Sequence, residues 1–316
     1  MAVKSLPPQR QGMKRKTREN VAGWLFLTPY LISLIVFTFG AIAYAVYISF
    51  TDLKLFGEAN YVGFGTYGRV LDPTNPLNKF WKALGNTVIF SVVVVFFQTW
   101  LAILFAVVLN SKIRGQRFFR IAWYLPSVTA SVVISLIFFW MYKQQGVINY
   151  ALGAIINNTL GLVGVHFEPV AWLDNTTTAL PAIMTMNIFT TIPTFMVMFL
   201  AGLQDIPTDV YEAAKIDGAS ARRMFWSITL PLLRPVIFLV TVLGTIGTLQ
   251  VFDQIYVMTN EGGPLDSTLT VAYLIWFEAF KRNNLARSAA ISFILFVVIF
   301  VFFLVQRRFL DRNATD

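Results

Sequence analysis

A chain of 316 residues that is 56% hydrophobic and 13% charged is too apolar for a soluble domain of its length, where about a quarter of residues are charged. The 25 Lys and Arg against 16 Asp and Glu give a net charge of +9, yet no basic stripe interleaved with aromatics marks a nucleic-acid surface. With no cysteine and a single histidine, His166, disulfide frameworks, thiolate metal sites and histidine-rich metal sites are excluded.

Residues 1–20 are polar and basic and contain Pro7 and Pro8, the composition of a flexible tail. Six apolar runs follow, at 23–50, 87–110, 121–142, 179–203, 236–258 and 288–305. Each is long enough, at about 20 residues, to cross a hydrocarbon core of about 30 Å as a helix. The runs are continuous rather than alternating, which excludes a β-barrel, and lipid tolerates no other open backbone. The expected fold is all-α, a polytopic membrane protein with six transmembrane helices. The first run is too long for a signal peptide and lacks a small-residue cleavage pattern, so it is read as a retained anchor.

Orientation follows from the basic residues. With the N-terminus in the cytoplasm, 17 of the 25 Lys and Arg fall in cytoplasmic segments and 8 in outer ones. This is the positive-inside pattern, and the positive charge then reports topology and contact with anionic membrane lipid, not nucleic acid. The outer segments 51–86 and 143–178 are rich in loop-forming residues and aromatics, Trp172 among them. Either docks a partner or packs as an interfacial aromatic belt.

The cytoplasmic segment 204–235 reads as ordered. Pro207, Thr208 and Asp209 form a helix start, Asp217 and Gly218 interrupt the helix, and 219–228 resumes it before Leu230, Pro231 and Pro235. Gly218 suits the turn because glycine alone takes positive φ without steric cost. Within the fourth run, Asn187, Thr190, Thr191 and Thr194 are spaced i, i+3, i+4, i+7 and share one helix face, with Pro193 among them. Gly244, Gly247, Thr248 and Val251 repeat that spacing in the fifth run. Both stripes fit either a solute pocket or close helix packing through small residues and hydroxyls. Asp253 is the one acid inside the six runs, near the outer end of the fifth, with Gln250 expected on the same helix side.

Glu212-Ala213-Ala214, then Asp217-Gly218-Ala219, then Leu230-Pro231 fall in the register of the EAA loop, and this segment resembles that of binding-protein-dependent ABC importer permeases. Thr259, Gly262, Gly263 and Pro264 resemble the T-x-GGP turn of the carbohydrate subfamily, with one residue more than its commonest form. Residues 80–87, Phe-Trp-Lys-Ala-Leu-Gly-Asn-Thr, look like the start of the permease core. The resemblance covers about residues 22–310 and is nearest to maltose and glycerol-phosphate permeases. At 283–287 the chain departs from relatives that have a glycine turn there.

That resemblance implies a MetI-like core over 21–310 between short cytoplasmic tails at 1–20 and 311–316, in a bacterial inner membrane, with both termini cytoplasmic. It implies a coupling helix at 204–235, in which Glu212, Ala213, Ala214, Asp217, Gly218, Ala219, Leu230 and Pro231 meet an ATPase subunit. The implied partners are a second permease in a heterodimeric pore, with a homodimeric pore as the alternative, two ATP-binding subunits and an extracytoplasmic solute-binding protein. The implied cargo is a sugar-like solute: an oligosaccharide, a polyol glycoside or glycerol phosphate. In maltose-type relatives the stretches matching Asn187–Thr194 and Gly244–Val251 line the sugar path, and Asp253 is a further candidate for that path as an intramembrane acid. No G-x-x-x-x-G-K-[ST] stretch occurs, so ATP and Mg are expected in the partner subunits, with no catalytic residue, cofactor or metal in this chain. An ion-coupled secondary transporter is the alternative, and it would need several buried titratable groups where this sequence offers one.

Overall fold

The structure, a computed structural model, describes residues 12–311 apart from Phe56, 111–122 and 160–165. The basic stretch after the second run, the start of the third and both chain ends therefore lie outside the described residues. Among the described residues the chain is helical throughout, with a single isolated antiparallel bridge between Thr51 and Tyr61.

Helix α1 (Gly12–Ser33), a π-helical turn (Leu34–Phe39) and α2 (Gly40–Ser49) form the first membrane helix, which starts inside the segment expected to be flexible. Helix α3 (Gly65–Leu71) leads to α4 (Phe80–Asn110), the second span. The third span contributes α5 (Ser131–Met141), followed by a connecting helix α6 (Val147–Thr159). Helix α7 (Ala179–Gln204) is the fourth span and runs unbroken through Pro193. Next come α8 (Thr208–Ile216), α9 (Ala221–Leu232) and α10 (Arg234–Leu249), with α9 and α10 bent by 66°. A short α11 (Asp253–Met258), a connecting α12 (Val271–Trp276) and α13 (Leu285–Gln306) follow.

Among the described residues, four helices are long and apolar enough to cross a membrane, and the bent pair α9 and α10 adds a fifth if the two are one span. Helix α7 lies at the centre, with 56% of its most apolar stretch buried, whereas the first membrane helix buries only 6%. Two apolar clusters surround α7. Phe90, Val94, Ile183, Met186, Leu274 and Ile291 pack at the end away from α8; Ile103, Ala106, Met196, Phe199, Leu233 and Val240 pack toward α8. Between lipid-embedded helices hydrophobicity offers little drive, so hydroxyls and amides add the ties. Thr191 donates to Oε1 of Gln98 at 2.8 Å, Ser91 and Thr248 share a hydrogen bond of 2.7 Å, and Gln306 donates to Thr245 at 2.6 Å.

Four boundaries differ from the sequence reading. The third span is broken at Thr129 and Ala130, where Ala130 takes an extended ψ of 137°. The fifth is broken after Leu249, and the carbonyl of Val251 accepts instead from the Thr270 hydroxyl at 2.9 Å. Gln250 and Asp253 therefore do not share a helix face, and Asp253 opens α11, at the end of a helix dipole that favours a carboxylate. Leu230 and Pro231 do not end a helix either; α9 runs through them and the bend falls at Leu233. The final span starts after Asn284, whose side chain accepts from the Arg287 N–H at 3.0 Å, with Asn283 taking the left-handed turn (φ 54°).

Candidate functional site

The break in the third span and the polar face of α7 meet. Ser127, Thr129 and Ser131 from that break, Asn187, Thr190, Thr191 and Thr194 from α7, and Gln254 from α11 line one cavity of about 270 Å³, in which every lining side chain is uncharged. Gln254 donates to the Ser131 hydroxyl at 3.3 Å across it. Asn187 is 7% exposed, and its Oδ1 has no hydrogen-bond partner. A buried amide oxygen without a partner is costly, and here it sits on the wall of a polar concavity. Thr190 and Thr191 bond back to the Asn187 carbonyl at 3.0 and 2.8 Å, which fixes their rotamers. All four residues of the α7 stripe thus come together.

The α10 stripe goes elsewhere. A Cβ on Gly244 would overlap Nε2 of Gln98, so this glycine lets α10 approach α4. Thr248, 4% exposed, is bonded to Ser91 and to the Gly244 carbonyl. Gly247 faces open space, and Val251 is buried at the break. None of these, nor Asp253, lines the polar cavity. Sequence reasoning missed Gln98, Ser127, Thr129, Ser131 and Gln254. The available signal was a polar side chain inside an otherwise apolar run.

At the opposite end of α7, α8 and α9 form a helix–turn–helix. Asp217 caps α8, and Gly218 turns with φ 72°. The Gly218 N–H donates to Lys215 O at 3.0 Å and the Ala219 N–H to Ala214 O at 2.9 Å, closing the α8 end in the manner of a glycine C-cap. Ser220 then caps α9 by accepting from the Arg223 N–H at 3.3 Å. The Tyr211 and Thr229 hydroxyls, 3.0 Å apart, tie the two helices. Ala214 is buried, while Glu212, Ala213, Asp217 and Gly218 are exposed and Ile216 is 86% exposed. The small and acidic residues therefore form an accessible ridge. Leu230 and Pro231 lie away from it, half-buried beside α10.

The two remaining motifs are one structure. Asn86 donates to the carbonyls of Asp266 and Leu269, both at 3.0 Å, and Thr87 accepts from the Val271 N–H at 2.9 Å. Lys79 pairs with Asp266 at 2.8 Å. The start of α4 thereby clamps the turn in which Glu261, Gly262, Gly263, Leu265 and Asp266 all take positive φ.

Residues 98–314 match the family described as binding-protein-dependent transport system inner membrane component. The trehalose/maltose transport system permease protein MalF of Thermococcus litoralis is 36% identical over 92% of this chain and 94% of its own. The lactose transport system permease protein LacF of Rhizobium radiobacter is 35% identical over 91% and 93%. The fold is shared with a bacterial alginate ABC transporter solved in complex with an alginate pentasaccharide-bound periplasmic protein, at a TM-score of 0.77 and 20% identity over 94% of this chain and 96% of that one. The chain belongs to the binding-protein-dependent transport system inner membrane component family, as a multi-pass inner-membrane permease subunit of an ABC importer.

Proposed function

We propose that this permease passes a neutral, hydroxyl-rich solute of the saccharide class through the cavity on α7. The observation that carries the reading is the cavity wall: hydroxyls and amides with no charge, and one buried, unpartnered acceptor at Asn187. A polyol supplies matching donors and acceptors at many positions, and a site built to hydrogen-bond hydroxyls rejects analogues that lack them. Relatives named for trehalose, maltose and lactose support the same class. Among the candidate solutes, the uncharged lining favours an oligosaccharide or polyol glycoside over glycerol phosphate.

ATP hydrolysis is assigned to partner subunits, since the chain has no phosphate-cradling P-loop sequence. The Glu212–Ala219 ridge meets that motor, both termini are cytoplasmic, and a second permease and an extracytoplasmic binding protein complete the importer. The alginate transporter solved with its periplasmic protein supports the last assignment.

The test is purification of the intact complex from native membranes in mild detergent, reconstitution in liposomes, and measurement of ATPase stimulation and uptake across a panel of neutral and anionic saccharides. An associated ATPase stimulated by a neutral member supports the reading. Stimulation by anionic solutes alone rejects the solute class, and uptake driven by an ion gradient without ATP rejects the motor.

A further inference from the structure

The polar cavity and the Glu212–Ala219 ridge share no residue. Helix α10 runs through the 66° bend into α9, which the Tyr211 and Thr229 hydroxyls tie to α8 at 3.0 Å, yet no α10 side chain lines the cavity. One buried side chain touches both. Gln98, on α4 and fully buried, has its Oε1 2.8 Å from the hydroxyl of Thr191 on the cavity wall. Its Nε2 stands against Gly244 of α10, where an added Cβ would overlap it.

Nε2 has no hydrogen-bond partner, which is costly for a buried donor. The Thr191 hydroxyl has one proton and three acceptors in reach: Oε1 of Gln98 at 2.8 Å, the Asn187 carbonyl at 2.8 Å and the Ile188 carbonyl at 3.3 Å. A carboxamide is nearly symmetric in shape, so a half-turn of its end group exchanges Oε1 and Nε2 within the same space. Two arrangements therefore fit this packing. In the first, which the structure shows, Thr191 donates to Oε1 and the unpartnered N–H faces α10. In the second, Nε2 donates to the Thr191 oxygen, Thr191 donates to the Asn187 carbonyl, and Oε1 faces the Gly244 Cα–H, a weak donor.

We propose that Gln98 is a positioning residue that carries occupancy of the cavity to α10 by exchanging these two arrangements. A solute hydroxyl donating to the Thr191 oxygen takes the place that Nε2 holds in the second arrangement and sends the Thr191 proton to Oε1. The N–H then left against Gly244 loosens α10 from α4, and the bend passes that movement to α9 and the ridge. The amide end group is a two-state element that solute and α10 both bias, which is what coupling between two sites requires. This inference rests on the proposed solute path.

The experiment uses the importer complex in liposomes with its extracytoplasmic binding protein, and ATPase rate is measured against the concentration of a neutral disaccharide that stimulates the wild type. Gln98→Met keeps the side chain's length and removes its hydrogen bonds. It is expected to lower solute-dependent stimulation at least about fivefold while the half-saturating concentration moves by less than about threefold. Gln98→Glu has a donor and an acceptor when protonated and acceptors alone when ionised. Its stimulation, relative to the wild type at each pH, is expected to be present at low pH and to fade as pH rises. Lys82 and Arg234, at the starts of α4 and α10, are the only charged residues of α4, α7 and α10. The proposal is overturned if assembled Gln98→Met is stimulated like the wild type, or if it loses affinity yet reaches full stimulation at saturation, the mark of a solute contact. It is also overturned if Gln98→Glu follows the wild-type pH profile, and that profile decides alone where Gln98→Met fails to assemble. A wild type that no saccharide stimulates defeats the solute reading itself, and this inference with it.

Discussion

Replacing Gly244 by alanine would set a methyl carbon against Nε2 of Gln98 and 3.6 Å from Cγ2 of Val95. Ordinary contact begins at 3.4 Å, so Nε2 must withdraw by about 1 Å. Gln98 has little room to do so, being fully buried with its Oε1 held by the Thr191 hydroxyl. Overpacking of this kind costs about 1–3 kcal/mol, and losing the interhelical hydrogen bond adds about 0.6 kcal/mol in a membrane protein. A loss of roughly 2–3 kcal/mol corresponds to a fall of about 4–10 °C in apparent Tm for a chain of this size. Because membrane complexes unfold irreversibly, the readout is a scan at fixed rate, or the half-life at one temperature, in mild detergent. Gln98→Ala removes the clashing amide, so in the double variant the Gly244→Ala penalty should shrink by at least about 1 kcal/mol in a double-mutant cycle. An unchanged Tm for Gly244→Ala, or strict additivity in the double variant, would refute the close packing of α10 on α4.

The other predictions concern separate parts of the molecule. Asn187→Leu should cut solute uptake at least about tenfold, the consequence of losing roughly 1.4 kcal/mol of polar recognition, while the complex still assembles; normal uptake would remove the cavity from the path. Thr248→Leu, placed against Ser91, should instead lower the yield of assembled complex, and intact assembly with lost uptake would reverse that assignment. Gly218→Val puts a β-branched residue at φ 72° with a backbone cost of about 1–2 kcal/mol, and should abolish solute stimulation of the ATPase while Gly218→Asn retains part of it; equal stimulation by both would argue against a role for the turn. Truncating Glu278, 1% exposed and paired with Arg282 at 3.0 Å and Arg287 at 3.2 Å, to alanine should cost about 1.5–3 kcal/mol, visible as a smaller yield of folded protein by size-exclusion chromatography, and a wild-type yield and profile would show both ion pairs to be dispensable.

What could be read from residues alone was governed by the range of the interaction. The α7 stripe was legible because four polar positions at helical spacing need only an intact helix to share a face, and α7 is intact. The turn at Gly218 was legible because its cause, a residue free to take positive φ, is local. The break after Leu249 was not, because the hydroxyl that satisfies the freed Val251 carbonyl belongs to Thr270, beyond a turn and a second helix. Periodicity treated Gly244, Gly247, Thr248 and Val251 as one face, yet only Gly244 and Thr248 meet α4, at Gln98 and Ser91, which carry no sequence mark of their partner. The cavity wall from the third span was hidden for a related reason: Ser127, Thr129 and Ser131 become neighbours of α7 only because the helix is interrupted at Ala130.

The clamp between the start of α4 and the left-handed turn has a consequence for synthesis. Asn86 and its acceptor on Asp266 are separated by 180 positions, which at about 5–20 residues per second places their emergence roughly 10–40 s apart. Through that interval the amide of Asn86 and the hydroxyl of Thr87 have none of their final partners from the turn, and Lys79 has no Asp266 to pair with. This end of the bundle is therefore a seam closed late, when the fifth span and its turn are in place, and a chain halted before Asp266 presents its second helix with an open N-terminal end.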